Sequence, residues 1–255
     1  HIGRIQKPVL FIPGNHDATN IFQLAAEIWQ KPWLARASGW TQKWWAQALE
    51  ARLGTAVFAG YSTHNYQMAG LDFAIIASRP FSMGGPTLSF QPYMKSRYSI
   101  DTLAESADRL CHCVDQTNVD RLIFLAHNGP AGLSQAHTDI WGCDFKPEGG
   151  DFGDSDLTEV IDYAKSKGKE VLAVIAGHLH QRTKNGQQRR WRVEQDGTKY
   201  INAARVPRVF FNNNVEYRHH VRLTLTETAV TVTERFVNMF KFAVFSEHDS
   251  LHLSH

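Results

Sequence analysis

Residues 8–17 of the chain read PVLFIPGNHD, and the interpretation of the whole sequence starts from this stretch. A short run of large apolar residues bounded by prolines is typical of a buried strand, so we predict a strand over residues 8–13. In layered α/β proteins, strand ends and the loops that follow them are where functional sites are built. The first candidate site residues therefore follow this strand directly: Gly14, Asn15, His16 and Asp17.

Two further apolar runs end in the same way. RLIFLA at 121–126 is followed by His127 and Asn128, and EVLAVIA at 170–176 is followed by Gly177-His178-Leu179-His180. A lone histidine is more often a structural, hydrogen-bonded group than a ligand, but histidines after three predicted strands indicate a shared site. Neutral imidazoles and an amide oxygen suit a divalent ion such as Mn, Fe or Zn, and the scarcity of thiols argues against a soft structural metal site.

The rest of the sequence predicts one domain over residues 1–255. No repeat, low-complexity tract or linker divides it. Ser155 is the predicted N-cap of one helix, and Asp196-Gly197 is a hairpin turn signal. The predicted helices cover 20–53, 101–113 and 155–167, and the predicted short strands cover 56–59, 64–68, 71–77, 221–225 and 230–232.

The segment 20–53 holds five of the seven tryptophans. Aromatic residues at helical spacing are usually buried, so core packing together with a crowded surface is the favoured interpretation of these side chains. A lid over a substrate is the alternative.

Composition excludes several functional classes. The formal net charge is only +2, so no global field indicates nucleic acid or a membrane as the partner, although nucleic acid is not excluded. Three cysteines without a C-x-x-C pair predict neither a disulfide framework nor a zinc ribbon, and a reducing, cytoplasmic location fits best. Apolar runs fall well short of the roughly 18 residues that span a bilayer.

The ordered series Gly14-Asn15-His16-Asp17, His127 and Gly177-His178-Leu179-His180 closely resembles the calcineurin-like metallophosphoesterases. Other stretches are similar to a bacterial and plastid-type subgroup of that superfamily. The resemblance implies a four-layer α/β/β/α sandwich and metal-dependent hydrolysis of a phosphate monoester or diester, as a phosphatase or phosphodiesterase acting on a phosphorylated small molecule. It also implies two divalent metal ions, Mn, Fe or Zn, in the complete domain.

The resemblance implies a role for each matched residue. Asn15, His127 and His178 would bind one metal, and His180 would bind the other. His16 would stabilise the transition state and the leaving group, with Asp17 orienting its imidazole. A simple helix N-cap is the open alternative for Asp17.

The sequence also departs from the family pattern. Two motifs, Asp-x-His and Gly-Asp-x-x-Asp, are expected before Gly14, where only 13 residues stand. No Asp-x-His occurs in the chain, and Gly150-Asp151-Phe152-Gly153-Asp154 matches the second pattern at the wrong place. We therefore expect the sandwich to lack its first strands and helix, and this chain to bind one metal ion or fewer and possess reduced or no activity.

Four further residues are candidates for substrate binding: Asn128, Asp151, Asp154 and Arg189. The two aspartates lie in a long Gly-, Pro- and Asp-rich loop, a composition that favours a functional loop, with a surface turn as the alternative. Arg189 begins a basic cluster that could contact a phosphate, although an exposed hairpin is the more common meaning of such a run. The competing functional hypothesis is a metal-poor, non-catalytic scaffold of the same fold that binds partners through its tryptophan-rich segment.

Overall fold

The computed structural model describes residues 5–19, 21–29, 31–68, 70–146, 148–212, 215–238 and 244–246. Three sheets and five helices make up this part of the chain. In chain order the elements are β1 (Leu10–Phe11), α1 (Ile21–Ile28), α2 (Pro32–Glu50), β2 (Val57–Phe58), β3 (Ser62–Met68), β4 (Leu71–Ala77), α3 (Gln91–Tyr98), α4 (Leu103–Asp115), β5 (Arg121–Leu125), α5 (Ser155–Ser166), β6 (Glu170–Ala176), β7 (Arg192–Gln195), β8 (Thr198–Asn202), β9 (Val209–Asn212), β10 (Val215–Leu225), β11 (Val230–Asn238) and β12 (Val244–Ser246).

The main sheet has six strands in the order β3-β4-β5-β6-β8-β7. Its four inner strands run parallel, and β3 and β7 pair antiparallel at the two edges. The inner strands β4, β5 and β6 are almost continuously apolar because both faces of a parallel sheet are covered. Parallel pairing also places the carboxyl ends of β5 and β6 side by side.

The faces of the main sheet pack against different layers. On one face, Leu122 and Phe124 belong to a cluster with the helix residues Leu110 and Val160. On the other face, Ile123 packs with residues of the antiparallel sheet β12-β11-β10-β9. The described residues thus form one helix layer and two sheet layers, and the predicted mixed α/β fold is confirmed, whereas the four-layer sandwich stays a prediction. The hairpin at Asp196-Gly197, formed by β7 and β8, extends the main sheet.

The strand predicted over 8–13 differs from the expectation. It is reduced to β1, a two-residue strand that is only partly buried and pairs with β2 in a separate two-stranded sheet. Prolines at 8 and 13 have no N–H to donate, which limits the ladder to the residues between them. The chain after β1 is instead held by the backbone of Phe81, whose N–H donates to the Pro13 carbonyl at 2.9 Å.

Several boundaries also differ from the predictions. Asp154, not Ser155, is the N-cap residue of α5, and α3 was not predicted. The helix α4 begins two residues later than expected because the Thr102 side chain forms a capping box with Glu105. The Asp196-Gly197 turn is confirmed, with φ values of 50° and 74° that suit a tight hairpin.

The prediction that the tryptophans pack in the core is wrong for the four whose side chains are described. Trp29, Trp33, Trp44 and Trp45 are 66%, 69%, 59% and 42% exposed. Small or polar side chains on α1 and α2, including Ala26 and Ala46, face the interior instead. The helical repeat is present, but these four rings lie on its solvent-facing side. None of the helices in the described part of the chain is long and apolar enough to cross a membrane.

Candidate active site

The loops after β5 and β6 bring His127 and His178 together. The Ala126 N–H donates to the Ile175 carbonyl and the Gly177 N–H donates to the His127 carbonyl, both at 2.9 Å, so the strand pairing continues into the two loops. The centroids of the two imidazole rings lie 5.0 Å apart, with an edge-to-face geometry. The adjacency of these two histidines therefore follows directly from the parallel register.

Asn15 reaches the same place from outside the main sheet. Its Oδ1 lies 3.1 Å from Nε2 of His127, and its side chain is buried. Gly14 makes this approach possible, since a Cβ on that residue would lie 2.4 Å from Cε1 of His127. Glycine at 14 thus permits close packing of a backbone turn against a site imidazole.

His16 and Asp17 occupy the exposed side of this turn. The Asp17 carboxylate accepts a hydrogen bond from the Gly14 N–H at 2.6 Å, and the Asp17 N–H donates to the Gly14 carbonyl. Asp17 therefore closes the turn 14–17. It does not cap α1, which begins at Ile21. His16 lies within electrostatic range of His127, whose pKa is lowered by burial first, then by His178 and His16.

His178 is fixed in one tautomer by the protein. Its backbone adopts a φ of 66°, and its Nε2 lies 3.0 Å from the carbonyl oxygen of Met83. Because a carbonyl can only accept, Nε2 carries the hydrogen and Nδ1 of the neutral ring keeps its lone pair. Burial lowers the pKa of His178 to about 4, so the ring is neutral at pH 7. A neutral imidazole with one free nitrogen is ready to bind a metal without losing a proton.

His180 is exposed, two residues further on. Its backbone carbonyl accepts a hydrogen bond from Arg189 at 2.9 Å. Partial burial, followed by the positive charge of Arg189, lowers the pKa of His180. The second histidine motif is thus held by a side chain that the sequence assigned tentatively to the substrate.

Arg189 itself is 1% exposed. Its guanidinium donates to the carbonyls of His180 and Gly142 and lies 3.4 Å from the Asp144 carboxylate. The positively charged guanidinium of Arg189 is therefore directed at groups of the protein and not at solvent. Substrate binding by Arg189 stays a prediction; in the structure its guanidinium joins the loop that carries His180 to the loop that follows His127.

The carboxylates of Gly150-Asp151-Phe152-Gly153-Asp154 do not join the histidines. Asp154 is buried, where it accepts from Arg79 at 2.8 Å and from Ser82 at 2.7 Å. Asp151 accepts hydrogen bonds from the N–H groups of Gly132 and Gly153. Both side chains thus hold the loop that follows His127.

Asn128 is also directed at this loop. It is fully buried, and its Nδ2 donates to the carbonyl of Phe152 at 2.9 Å. Its Oδ1 has no hydrogen-bond partner among the described residues.

Sequence reasoning missed two groups that shape the site, Arg79 and Met83. Arg79 lies two residues after the end of β4, so it was one more polar residue at the end of a buried strand, but no histidine accompanied it there. Met83 contributes only its backbone carbonyl. Every residue has a backbone carbonyl, so the identity of residue 83 could not indicate this contact.

A family model described as calcineurin-like phosphoesterase matches residues 2–182. The chain belongs to the calcineurin-like phosphoesterase family. No curated protein matches it. Members of this family are generally metal-dependent hydrolases of phosphate esters, so the resemblance carried by the three histidine motifs is confirmed at the level of the family.

The donor set of this calcineurin-like phosphoesterase fits a divalent ion in part. Among the described residues, no three His, Cys, Asp or Glu side chains come together to hold a metal. The donors that lie together are two imidazoles and the Asn15 amide oxygen, whose Oδ1 is within hydrogen-bond distance, 3.1 Å, of His127 Nε2. Imidazole nitrogens and oxygen atoms are ligands that divalent ions such as Mn, Fe and Zn accept. This arrangement fits one metal ion, whereas His180 is the single matched donor for a second.

Proposed function

We propose that this protein hydrolyses a phosphate monoester or diester at the site formed by Asn15, His16, His127 and His178. The observation that carries the proposal is the contact between Asn15 Oδ1 and His127 Nε2 beside the His178 ring, because it joins two loops 112 residues apart. A structural role alone does not require an amide and two neutral imidazoles at one point. Membership of a phosphoesterase family supports the same reaction.

In this proposal Asn15, His127 and His178 hold a divalent ion such as Mn, Fe or Zn. When bound, such ions supply Lewis-acid polarisation of a phosphoryl oxygen and an activated water. The Met83 carbonyl keeps His178 in the tautomer that leaves Nδ1 free. His180 would serve a second ion, and the family's four-layer sandwich would complete the fold.

His16 has a different task. It follows Asn15 directly, its side chain is exposed, and its charge influences all three other site histidines. An imidazole in this position can donate a proton to the leaving oxygen and balance charge on the phosphoryl oxygens. Asp17 acts indirectly, by closing the turn that carries Asn15 and His16.

The test combines metal content with turnover. The purified chain is dialysed against chelator, titrated with Mn²⁺ by calorimetry, and assayed with 4-nitrophenyl phosphate and bis(4-nitrophenyl) phosphate. We expect at most one tightly held ion per chain and slow, metal-dependent hydrolysis of at least one substrate, since ligands for a second ion are unmatched. Absence of both Mn²⁺ binding and hydrolysis would overturn the proposal. Two tightly held ions would show that other side chains replace the unmatched motifs.

A second candidate function is a binding scaffold. The exposed side chains of Trp29, Trp33, Trp44 and Trp45 favour it, since soluble surfaces seldom display so many large aromatic rings. The same titration separates the candidates, because a scaffold has no need to bind Mn²⁺ through His127 and His178.

A further inference from the structure

A cavity of about 260 Å³ is lined in part by residues that follow the second histidine motif in the chain. Gln181 and Arg182, which line it, are the two residues that follow His180. The opposite wall comes from the segment before and within β9, with Arg205, Val206 and Phe210. A space of this size is slightly below the range of whole-ligand pockets, so it suits one part of a substrate whose remainder lies at the histidines.

The charge of the cavity is positive. Arg182 is exposed, and no carboxylate lies within ion-pair distance of it in the described ranges. Arg205 is partly balanced by Glu234 at 3.0 Å and lies over the Phe210 ring at 4.8 Å, which holds its guanidinium in place. Guanidinium groups offer paired donors that match the oxygens of phosphates and carboxylates.

The positive charge continues toward His180. The Arg189 guanidinium donates to the His180 carbonyl at 2.9 Å, and Arg208 is an exposed residue that lies in the chain between the cavity residues Pro207 and Phe210. Of these arginines, Arg189 is tied to Asp144, whereas Arg208 has no ion pair in the described part of the chain. The surface between His180 and the cavity therefore attracts anions.

Polar and apolar groups complete the cavity wall. Gln181 is 2% exposed and donates through Nε2 to the Asn202 carbonyl at 2.9 Å, which anchors the side chain. Its Oε1 has no hydrogen-bond donor among the described residues. Val206 and Phe210 add an apolar side. This combination suits a carbon segment that carries an anionic group at its end.

We propose that this cavity binds a second anionic group of the substrate, so that the preferred substrates are phosphate esters that also carry a carboxylate or a further phosphate. This inference rests on the proposed function, because it takes the histidine site as the place of hydrolysis. Arg182 is the main contact for the second anionic group, and Arg205, held in place by Glu234 and Phe210, is a further contact. The apolar wall receives the carbon segment that joins the two anionic groups of the substrate.

The substrate test uses phosphoesters that differ by one anionic group. Phosphate release in Mn²⁺ is measured for glycerol 3-phosphate, 3-phosphoglycerate and 2,3-bisphosphoglycerate. We expect a lower KM for the two compounds with the additional anion. Arg182→Gln is expected to raise that KM about tenfold, as for loss of a charged hydrogen bond, and to raise the KM for glycerol 3-phosphate much less. The preferred additional group, carboxylate or phosphate, is read from the two KM values.

Arg52→Gln is the matched control, since it removes an exposed arginine beyond the end of α2 that does not line the cavity. It is expected to leave all KM values unchanged. Equal KM values for the three substrates in the wild-type protein, or equal effects of Arg182→Gln on all of them, would overturn the inference.

A binding experiment separates failure of this inference from failure of the proposed function. Pyrophosphate is titrated into the full chain in metal-free buffer, with the wild-type protein, Arg182→Gln and Arg52→Gln compared. Selective weakening in Arg182→Gln, by about tenfold, supports the cavity even if no substrate is hydrolysed. Equal binding by all three proteins overturns it, whatever the enzyme activity.

Discussion

The guanidinium of Arg79 lies 2.8 Å from Oδ1 of Asp154, and the two side chains are 1% and 2% exposed. Arg79 also contacts Asp156 at 2.8 Å through Nε, and Ser82 donates to the same Asp154 oxygen. Ser82 precedes Met83, whose carbonyl fixes the His178 tautomer. The ion pair thus connects the end of β4, the start of α5 and the loop that orients a site histidine.

We expect Arg79→Met to lower the free energy of unfolding by about 3–5 kcal/mol, because it leaves the buried carboxylates of Asp154 and Asp156 without their cation. Urea denaturation at pH 7 measures this change. Lys95→Met is the control, since Lys95 and Asp101 form an exposed pair and its loss changes stability by under about 1 kcal/mol. Similar values for the two variants would show that the buried pair has no special role.

Gly14→Ala is expected to weaken Mn²⁺ binding at least about tenfold, because the new Cβ would displace the His127 ring from Asn15. Gly177→Ala is a matched control beside the same site, where a Cβ would meet its nearest neighbour at an ordinary 3.6 Å. Calorimetric titration of both variants makes the comparison. Undiminished binding in Gly14→Ala would contradict the packing argument.

His16 and His178 are expected to separate by metal content. His16→Asn should lower turnover by roughly 10²- to 10⁴-fold with little change in bound metal, because it removes an acid and a charge-balancing group. His178→Asn should lower both, because a ligand is lost. Metal analysis is run alongside the aryl phosphate assay. Equal loss of metal in both variants would show that His16 is a metal ligand.

His178 is expected to make the metal-free protein lose stability as the pH falls from about 6.5 to 4, against an opposite contribution from Asp154, whose pKa is raised by burial to about 6. Burial lowers the pKa of His178 from 6.5 to about 4, so in this window the unfolded chain binds a proton that the folded chain does not. The group contributes up to about 1.4 kcal/mol per pH unit, with stability fully present above pH 6.5. Urea denaturation in chelator at several pH values checks the slope, which His178→Gln is expected to reduce. An unchanged slope would mean that the ring is not held neutral.

Much of the architecture was accessible from local sequence. The inner strands β5 and β6 were predicted because short, continuous apolar runs bounded by polar residues are typical of buried strands. In the structure these strands pair in parallel, which brings His127 and His178 to one edge. The Asp196-Gly197 hairpin was equally clear, since its turn depends on two adjacent residues. Family membership followed from the same strand-end motifs.

Other features required the packed chain. The tryptophan segment has a helical repeat whichever way it faces, and only packing of Ala26 and Ala46 inward decided that its rings point to solvent. The carboxylate of Asp154 was a candidate for substrate until Arg79, 75 residues away, was found to hold it.

The sequence by itself determined the element types and the chemical donors at the strand ends, because these depend on residues within a few positions of one another. Tertiary structure decided which donors meet. Asn15 reaches His127 although its strand lies outside the main sheet, and His178 receives its tautomer from a backbone carbonyl at Met83. Such contacts result from the packing of the whole chain, in which most buried polar groups find a partner, and no local pattern encodes which partner that is.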